Sequence, residues 1–138
     1  MRKLILIPIL ILLASSLIAG GTSKMFPSVT GTTDTSDVWV EAVTIDNSRY
    51  GLSNILIINT GTSSNDMSWR VCGYVHPDSP YYYIIATGTD LSDYSTADDV
   101  ELIEELPSGF PYVTVDVKTT VADSTTGYQI DYCIKNAY

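Results

Sequence analysis

The 138-residue chain is poor in the residue types that mark common catalytic and metal sites. It has one histidine, His76, and two cysteines, Cys72 and Cys133. This set does not have the spacing of a zinc site. A hydrolytic triad needs a base beside a nucleophile, and His76 lies in a proline-rich turn with no marked nucleophile nearby. We therefore predict that the chain is not an enzyme and that it has no cofactor.

Basic residues are also scarce. Seven lysines and arginines stand against 16 acidic residues, which gives a formal charge of −9. Beyond the N-terminus the basic residues are scattered along the chain: Lys24, Arg49, Arg70, Lys118 and Lys135. Nucleic-acid binding needs a basic stripe, so nucleic acid is excluded as a predicted partner. The acidic balance instead favours solubility.

An apolar run occupies residues 4–13, directly behind Met1-Arg2-Lys3. Small residues follow it at Ala19-Gly20-Gly21. A basic start, a short apolar centre and a small-residue cleavage site are typical of a secretory signal peptide. We predict a signal peptide at residues 1–21 and an extracellular or cell-surface location.

Two alternatives for this segment stay open. A retained membrane anchor is disfavoured because residues 4–19 form only about 24 Å of helix, whereas a bilayer core is about 30 Å thick. Pro8 also lies inside the run. A pilin-type leader normally has a small residue before its apolar run, whereas Lys3 meets Leu4 directly here. In both alternatives the apolar segment would be retained, and it would attach the chain to a membrane or to a filament core.

The rest of the chain divides into an arm and one domain. Residues 22–37 are rich in Thr, Ser, Gly and Asp and predict a flexible or extended N-terminal arm. Residues 38–138 contain about seven short runs of strand-forming residues separated by turn signals. The runs lie at 38–45, 55–58, 67–75, 81–87, 100–106, 112–118 and 128–135. They predict an all-β antiparallel sandwich, although 100–106 fits a short helix equally well.

Three stretches carry a family resemblance. They are NILIINTGT at 54–62, LPSG at 106–109 before YVTVDV at 112–117, and GYQIDY at 127–132. In this order they resemble the cell-adhesion-related Ig-like domains of prokaryotic surface proteins. The resemblance implies an Ig-like β-sandwich that displays, spaces or adheres without catalysis. The chain departs from that pattern because such modules usually occur in tandem and usually lack the cysteine pair.

The two cysteines predict a disulfide, because an even count in a secreted domain favours one. Two buried free thiols are the alternative. Strand alternation places Cys72 with Arg70 and Tyr74, opposite the apolar face that includes Val71. The same rule places Cys133 opposite the apolar face of its own strand. We therefore expect a Cys72–Cys133 bridge on the outer face of one sheet, between neighbouring strands.

Two surface features are candidates for ligand binding. The triplet Tyr81, Tyr82 and Tyr83 predicts an aromatic surface for sugars or a partner, against the alternative of ordinary sheet packing. An acidic loop offers oxygen ligands of the kind that calcium takes, but without EF-hand spacing, and charge runs are more often solvated faces. Its carboxylates are Asp90, Asp93, Asp98 and Asp99.

The arm suggests how such a domain could assemble. An extended segment of one subunit can complete an open sheet edge of the next. The arm's apolar side chains Met25, Phe26 and Val29 are the candidates for insertion. We predict a non-catalytic cell-surface structural protein, a filament or pilus-type subunit that self-associates through its arm and sheet edges. The alternative is a monomeric or membrane-anchored adhesion module for carbohydrate or a cell-envelope partner.

Overall fold

The described residues form nine β-strands. The computed structural model describes residues 23–136 except 36, 49, 62–65, 92–99, 105, 107–108 and 122. The strands are β1 (Ser23–Met25), β2 (Val29–Thr32), β3 (Val40–Asp46), β4 (Tyr50–Asn59), β5 (Met67–Tyr74), β6 (Tyr83–Leu91), β7 (Val100–Glu104), β8 (Tyr112–Thr119) and β9 (Gly127–Asn136). The described residues contain no helix that is long and apolar enough to cross a bilayer. The predicted signal peptide at 1–21 lies outside the described residues.

The strands form two antiparallel sheets. The first sheet has the order β1-β9-β4-β7, and β2 also pairs with β9. The second sheet has the order β3-β8-β5-β6. The all-β, sandwich-like prediction is therefore confirmed, and each strand predicted from residue 38 onward is present. Residues 100–104 form a strand because Ile103 pairs with Ile55 of β4 and packs against the core.

Strand alternation builds the core between the sheets. In β8, Val113, Val115 and Val117 point inward and are almost fully buried. In β9, Ile130 and Ile134 do the same from the opposite sheet. Burying side chains of this size contributes about 1.5–3 kcal/mol each. The apolar faces that alternation predicts for both strands are thus the faces that pack.

Asn59 joins the two sheets at one end of the sandwich. It ends β4 and is completely buried. Its Nδ2 donates to the carbonyl of Leu91, the last residue of β6 in the other sheet, at 2.8 Å. Its Oδ1 accepts from the Gly61 amide at 2.9 Å and from the Thr126 hydroxyl at 2.8 Å. One side chain therefore ties the end of a first-sheet strand to the end of a second-sheet strand.

The N-terminal arm lies along β9. β1 and β2 pair with β9 antiparallel, with Met25 opposite Cys133 and Val29 opposite Ile130. The chain then leaves this edge and enters β3, which belongs to the second sheet. The arm is therefore extended, and it occupies the edge of its own first sheet.

The predicted disulfide is not formed, because Cys72 and Cys133 are both free. Cys72 lies on β5 in the second sheet and Cys133 on β9 in the first, so the expectation of neighbouring strands is wrong. Each cysteine alternates with inward-facing residues, so the two point away from each other across the sandwich. Packed sheets lie about 10 Å apart, whereas a disulfide holds its Cβ atoms about 4 Å apart.

Candidate functional site

The outer face of the second sheet is unusually buried. Cys72 of β5 pairs across the sheet with Thr114 of β8, and Arg70 pairs with Asp116. These side chains point away from the core, yet the exposed fraction is 0% for Cys72, 4% for Thr114 and 5% for Asp116. Something other than the opposite sheet must therefore cover this face.

Aromatic side chains gathered around Arg70 provide part of that cover. Its guanidinium carbon lies 4.5 Å from the centroid of the Trp39 ring and 4.9 Å from that of Tyr82. Its Nη1 donates to the Tyr82 hydroxyl at 3.0 Å, and its Nε donates to Asp116 at 2.7 Å. Stacking on the ring faces adds cation–π attraction to the ion pair. Arg70 is thus held by one carboxylate and two rings.

Lys118 extends the same cluster along β8. Its Nζ lies 5.2 Å from the Trp39 ring centroid and forms an ion pair with Asp37 at 2.6 Å. Both basic residues on this face are therefore paired with carboxylates. The positive charges of Arg70 and Lys118 are therefore offset within this face.

Cys72 lies beneath this cluster. Burial raises the pKa of its thiol from 9.0 to about 11, and the nearby carboxylate of Asp116 adds to the rise while Arg70 opposes it. The thiolate is the reactive form of cysteine, so Cys72 is an inert structural thiol.

The two thiols should therefore differ in reactivity. We expect iodoacetamide at neutral pH to label Cys133, which is partly exposed, and to leave Cys72 unlabelled until the protein unfolds. Because the folded state raises the Cys72 pKa, the folded state holds this proton more tightly than the unfolded chain. Its contribution to stability should therefore fall as pH rises from 9 toward 11. Mass spectrometry of labelled peptides checks the first point, and a flatter alkaline stability profile in Cys72→Ala checks the second.

The tyrosine triplet lies at the start of β6 and is exposed. The exposed fractions are 84% for Tyr81, 43% for Tyr82 and 64% for Tyr83. Tyr82 lies 5.7 Å from Tyr74 between ring centroids, and Tyr83 stacks on Phe110 at 5.8 Å. The triplet therefore presents aromatic surface around an edge strand, and the rings of Tyr82 and Tyr83 each contact a neighbouring ring.

A small polar cavity lies beside the triplet, between the 75–82 loop and the outer face of the second sheet. Its wall includes Glu41 and Thr44 of β3, Tyr112 and Thr114 of β8, and Ser79 of the loop. The sequence analysis did not identify this cavity. The alternation of β8 places Thr114, Asp116 and Lys118 on one face, but it does not predict which strand or loop lies over them.

The arm's candidate insertion residues lie against β9. Phe26 stacks on Tyr132 with ring centroids 4.9 Å apart, and its amide donates to the Tyr132 carbonyl. Phe26 and Val29 pack against the core, while Met25 is placed only by its backbone pairing. Their site is therefore a groove formed by this chain's own last strand.

The remaining candidates are placed apart from these features. His76 is exposed, and its Nδ1 accepts from the Asp78 amide within the same turn. Of the calcium candidates, Asp93, Asp98 and Asp99 lie outside the described residues, and Asp90 is placed only as part of β6. Within the described part of the chain, no group of three or more acidic, His or Cys side chains could hold a metal ion.

Comparison with known proteins identifies the fold. No family model matches the chain, and no curated protein matches its sequence. The chain is similar to the crystal structure of a Yersinia pseudotuberculosis-derived mitogen, with a TM-score of 0.52. The two are 14% identical, and the match covers 85% of this chain and 91% of the mitogen. At this identity the likeness concerns the fold alone.

Proposed function

We propose that this chain is a non-catalytic, secreted cell-surface structural subunit that self-assembles by exchanging its N-terminal arm. The observation that carries the proposal is the pairing of β1 and β2 with β9 at the edge of the first sheet. In the assembled form the arm of one copy occupies this edge on the next copy. Because the contacts are identical within and between copies, exchange costs little beyond the opening of the arm.

The C-terminal end of the arm supplies a hinge. Thr33 is pinned to Thr126 by two hydrogen bonds of 2.9 Å that run in opposite directions. Further along the chain, Asp37 forms the ion pair with Lys118. Residues between these anchors include exposed Asp34 and Thr35. Opening of the arm therefore requires the Thr33 contact to break and the short segment after it to rotate.

A cleft open to solvent lies where the arm docks. It has a volume of about 540 Å³ and lies beside Phe26, between Tyr132 of the first sheet and Tyr112 of the second. The cleft supports the proposal because part of the surface around Phe26 faces solvent instead of close-packed side chains, so release of Phe26 breaks fewer contacts than release from a close-packed core.

The Ig-like character of the domain belongs to the same proposal. Two antiparallel sheets with short connections suit a module that displays or spaces without chemistry. The Asn-Thr-Gly segment of the resemblance starts at Asn59, whose hydrogen bonds join the sheets. This link between the sheets gives the asparagine of the motif a structural role. It supports a structural module whose two sheets are held together.

The test compares assembly of intact and altered arms. We expect the purified mature chain to form linear polymers at high concentration, and deletion of residues 22–37 to leave a folded monomer. Electron microscopy and size-exclusion chromatography measure assembly, and circular dichroism measures folding. Polymers formed by the deletion variant would refute arm exchange, as would a monomeric intact chain at the highest soluble concentration.

A point substitution tests arm docking independently, in case the deletion variant does not fold. A Cβ atom at Gly31 would lie 2.6 Å from Cζ of the buried Tyr128, so Gly31→Val should weaken arm docking on any β9. Thr30→Val is the matched control, because Thr30 is exposed on the adjacent position of the same strand. Assembly should be lost in the first variant and retained in the second.

A second candidate is a surface binding module for carbohydrate or a cell-envelope partner. The exposure of Tyr81, Tyr82 and Tyr83 favours it, since exposed aromatic groups of this kind occur at partner surfaces. A chain that stays monomeric in the assembly experiment but is retained on isolated cell envelopes would favour this candidate.

A further inference from the structure

The exposed apolar side chains of the described residues are concentrated at one hairpin. Eight large hydrophobic side chains are exposed there and elsewhere in the described part of the chain. Five of them lie between residues 75 and 84, where the chain passes from β5 to β6 at the edge of the second sheet. These five form the hairpin patch: Val75, Tyr81, Tyr82, Tyr83 and Ile84. Single exposed apolar residues are ordinary, but a contiguous group marks an interaction surface.

Two rings of the hairpin patch are packed before any partner binds. Tyr82 lies 5.7 Å from Tyr74 between ring centroids, and its hydroxyl accepts from Arg70 at 3.0 Å. Tyr83 stacks on Phe110 with centroids 5.8 Å apart. Side chains that are already ordered lose less conformational entropy when they bind. The patch is therefore suited to form a contact at low entropic cost.

The turn that presents Tyr81 is ordered as well. The Ser79 amide donates to the His76 carbonyl at 3.1 Å. The Tyr81 amide donates to the Ser79 hydroxyl at 3.1 Å, and this hydroxyl donates to the Tyr81 carbonyl at 3.0 Å. Pro77 and Pro80 each fix one backbone angle of the same turn. The backbone beneath Tyr81 is therefore held, although its ring is 84% exposed.

The charge of the surface favours the hairpin patch as the place where two copies meet. The chain has a formal charge of −9, yet residues 79–89 contain no charged side chain, and Asp78 is the only carboxylate between 75 and 89. The edge strands β3 and β7 carry exposed carboxylates instead. They are Glu41 and Asp46 in β3, and Glu101 and Glu104 in β7. Like charges facing each other across an interface are costly. Compared with these two edges, the hairpin patch offers a second copy much less repulsion.

The area of the hairpin patch suits a weak but specific dimer. At about 200 Å² per side chain, exposed fractions of 84%, 43% and 64% leave about 380 Å² of tyrosine surface accessible. Two copies therefore contribute about 760 Å² from tyrosine alone. Val75, at 76% exposed, and Ile84, at 48%, raise the total toward the roughly 1,000 Å² at which specific interfaces begin.

The shape of β6 determines how a second copy can make contact. Val71 of β5 pairs with Ala86 and the next residue, Cys72, pairs with Ile84, so Ile85 is an extra residue in β6. Such a bulge bends an edge strand and hinders the addition of another strand to it. We therefore expect side chains to make the contact in place of a continuous backbone ladder.

We propose that the hairpin patch binds the same patch of a second copy and joins two chains in a two-fold symmetric dimer. A two-fold contact uses one surface twice, so that surface must be complementary to itself. Uncharged aromatic rings meet this requirement because they stack on identical rings. The patch belongs to the second sheet, whereas the arm docks on the first. The contact therefore goes beyond arm exchange and is independent of it.

Sedimentation velocity of the full purified chain over a range of concentrations tests the dimer. The Gly31→Val chain is measured in parallel, because its weakened arm docking removes assembly by arm exchange. We expect this variant to show a reversible monomer–dimer equilibrium without polymers. A Gly31→Val chain that stays monomeric up to its solubility limit would overturn the dimer, even if the intact chain polymerises. Retention of that monomer on isolated cell envelopes would assign the patch to an envelope component instead.

Substitutions in the Gly31→Val chain locate the contact. Tyr81→Ser and Ile84→Thr should each raise the dissociation constant of the dimer about tenfold. Leu102→Thr is the matched control, because Leu102 is 50% exposed on the edge strand β7 of the other sheet, against 48% for Ile84. It should leave the dissociation constant unchanged, and circular dichroism should show that all three variants fold. An unchanged dimer in both patch variants, or equal weakening by Leu102→Thr, would refute the assignment to the hairpin patch.

Discussion

Replacing Asn59 by leucine is expected to lower the free energy of unfolding by about 3–5 kcal/mol. The substitution removes the donor to the Leu91 carbonyl and the acceptor for Gly61 and Thr126. Leucine is similar in size, so packing changes little while three polar groups lose their partner. Urea denaturation followed by tryptophan fluorescence measures the loss.

Two control substitutions test whether this loss comes from the link between the sheets. Thr126→Val removes one of the same hydrogen bonds and should cost about 1–2 kcal/mol. Thr35→Ala alters an exposed residue whose hydroxyl donates to its neighbour Asp34, and should cost less than about 0.5 kcal/mol. If Asn59→Leu costs no more than Thr126→Val, the link between the sheets is not the source of stability.

Asp116→Ala is expected to produce the other large loss, about 3 kcal/mol. The Asp116 side chain is 7% exposed and pairs with Arg70, which is itself 17% exposed. Removing the carboxylate leaves the guanidinium largely buried without its counter-charge. Contacts with Trp39 and Tyr82 remain and keep the loss below the upper limit for buried pairs.

Asp37→Ala is the matched comparison for that substitution. Asp37 pairs with Lys118 at 2.6 Å, as close as the 2.7 Å of the Arg70 pair, but its side chain is 77% exposed. Exposed pairs contribute about 0–1 kcal/mol, so this loss should be small and should shrink further in salt. Equal losses from the two aspartates would show that burial does not set the strength of the Arg70 pair.

Strand alternation predicted much of this fold from the sequence. The inward valines of β8 and the outward position of Cys72 beside Arg70 both follow from a period of two. Alternation is a local rule, however, and it does not say which strands share a sheet. The cysteine pairing was wrong for that reason, since each thiol was placed on an outer face but the two faces belong to different sheets.

The candidate sites likewise divide into features that local sequence predicts and features that depend on how distant parts of the chain are arranged. The tyrosine triplet could be predicted because three adjacent aromatic residues cannot all point toward one core. The cavity at Thr114 could not be predicted, because it depends on where the 75–82 loop lies over the sheet. The composition of the arm predicted only a flexible or extended segment. Its pairing with β9 joins residues almost 100 positions apart in the sequence, such as Thr30 and Gln129, which composition does not indicate.

The docked arm also makes each chain a competitor of its own assembly. A tethered segment experiences an effective concentration of its own groove in the millimolar range. A second copy in dilute solution cannot match that concentration, so single closed chains should predominate there. Growth of a polymer would then depend on local crowding, as on a cell surface that holds many copies side by side.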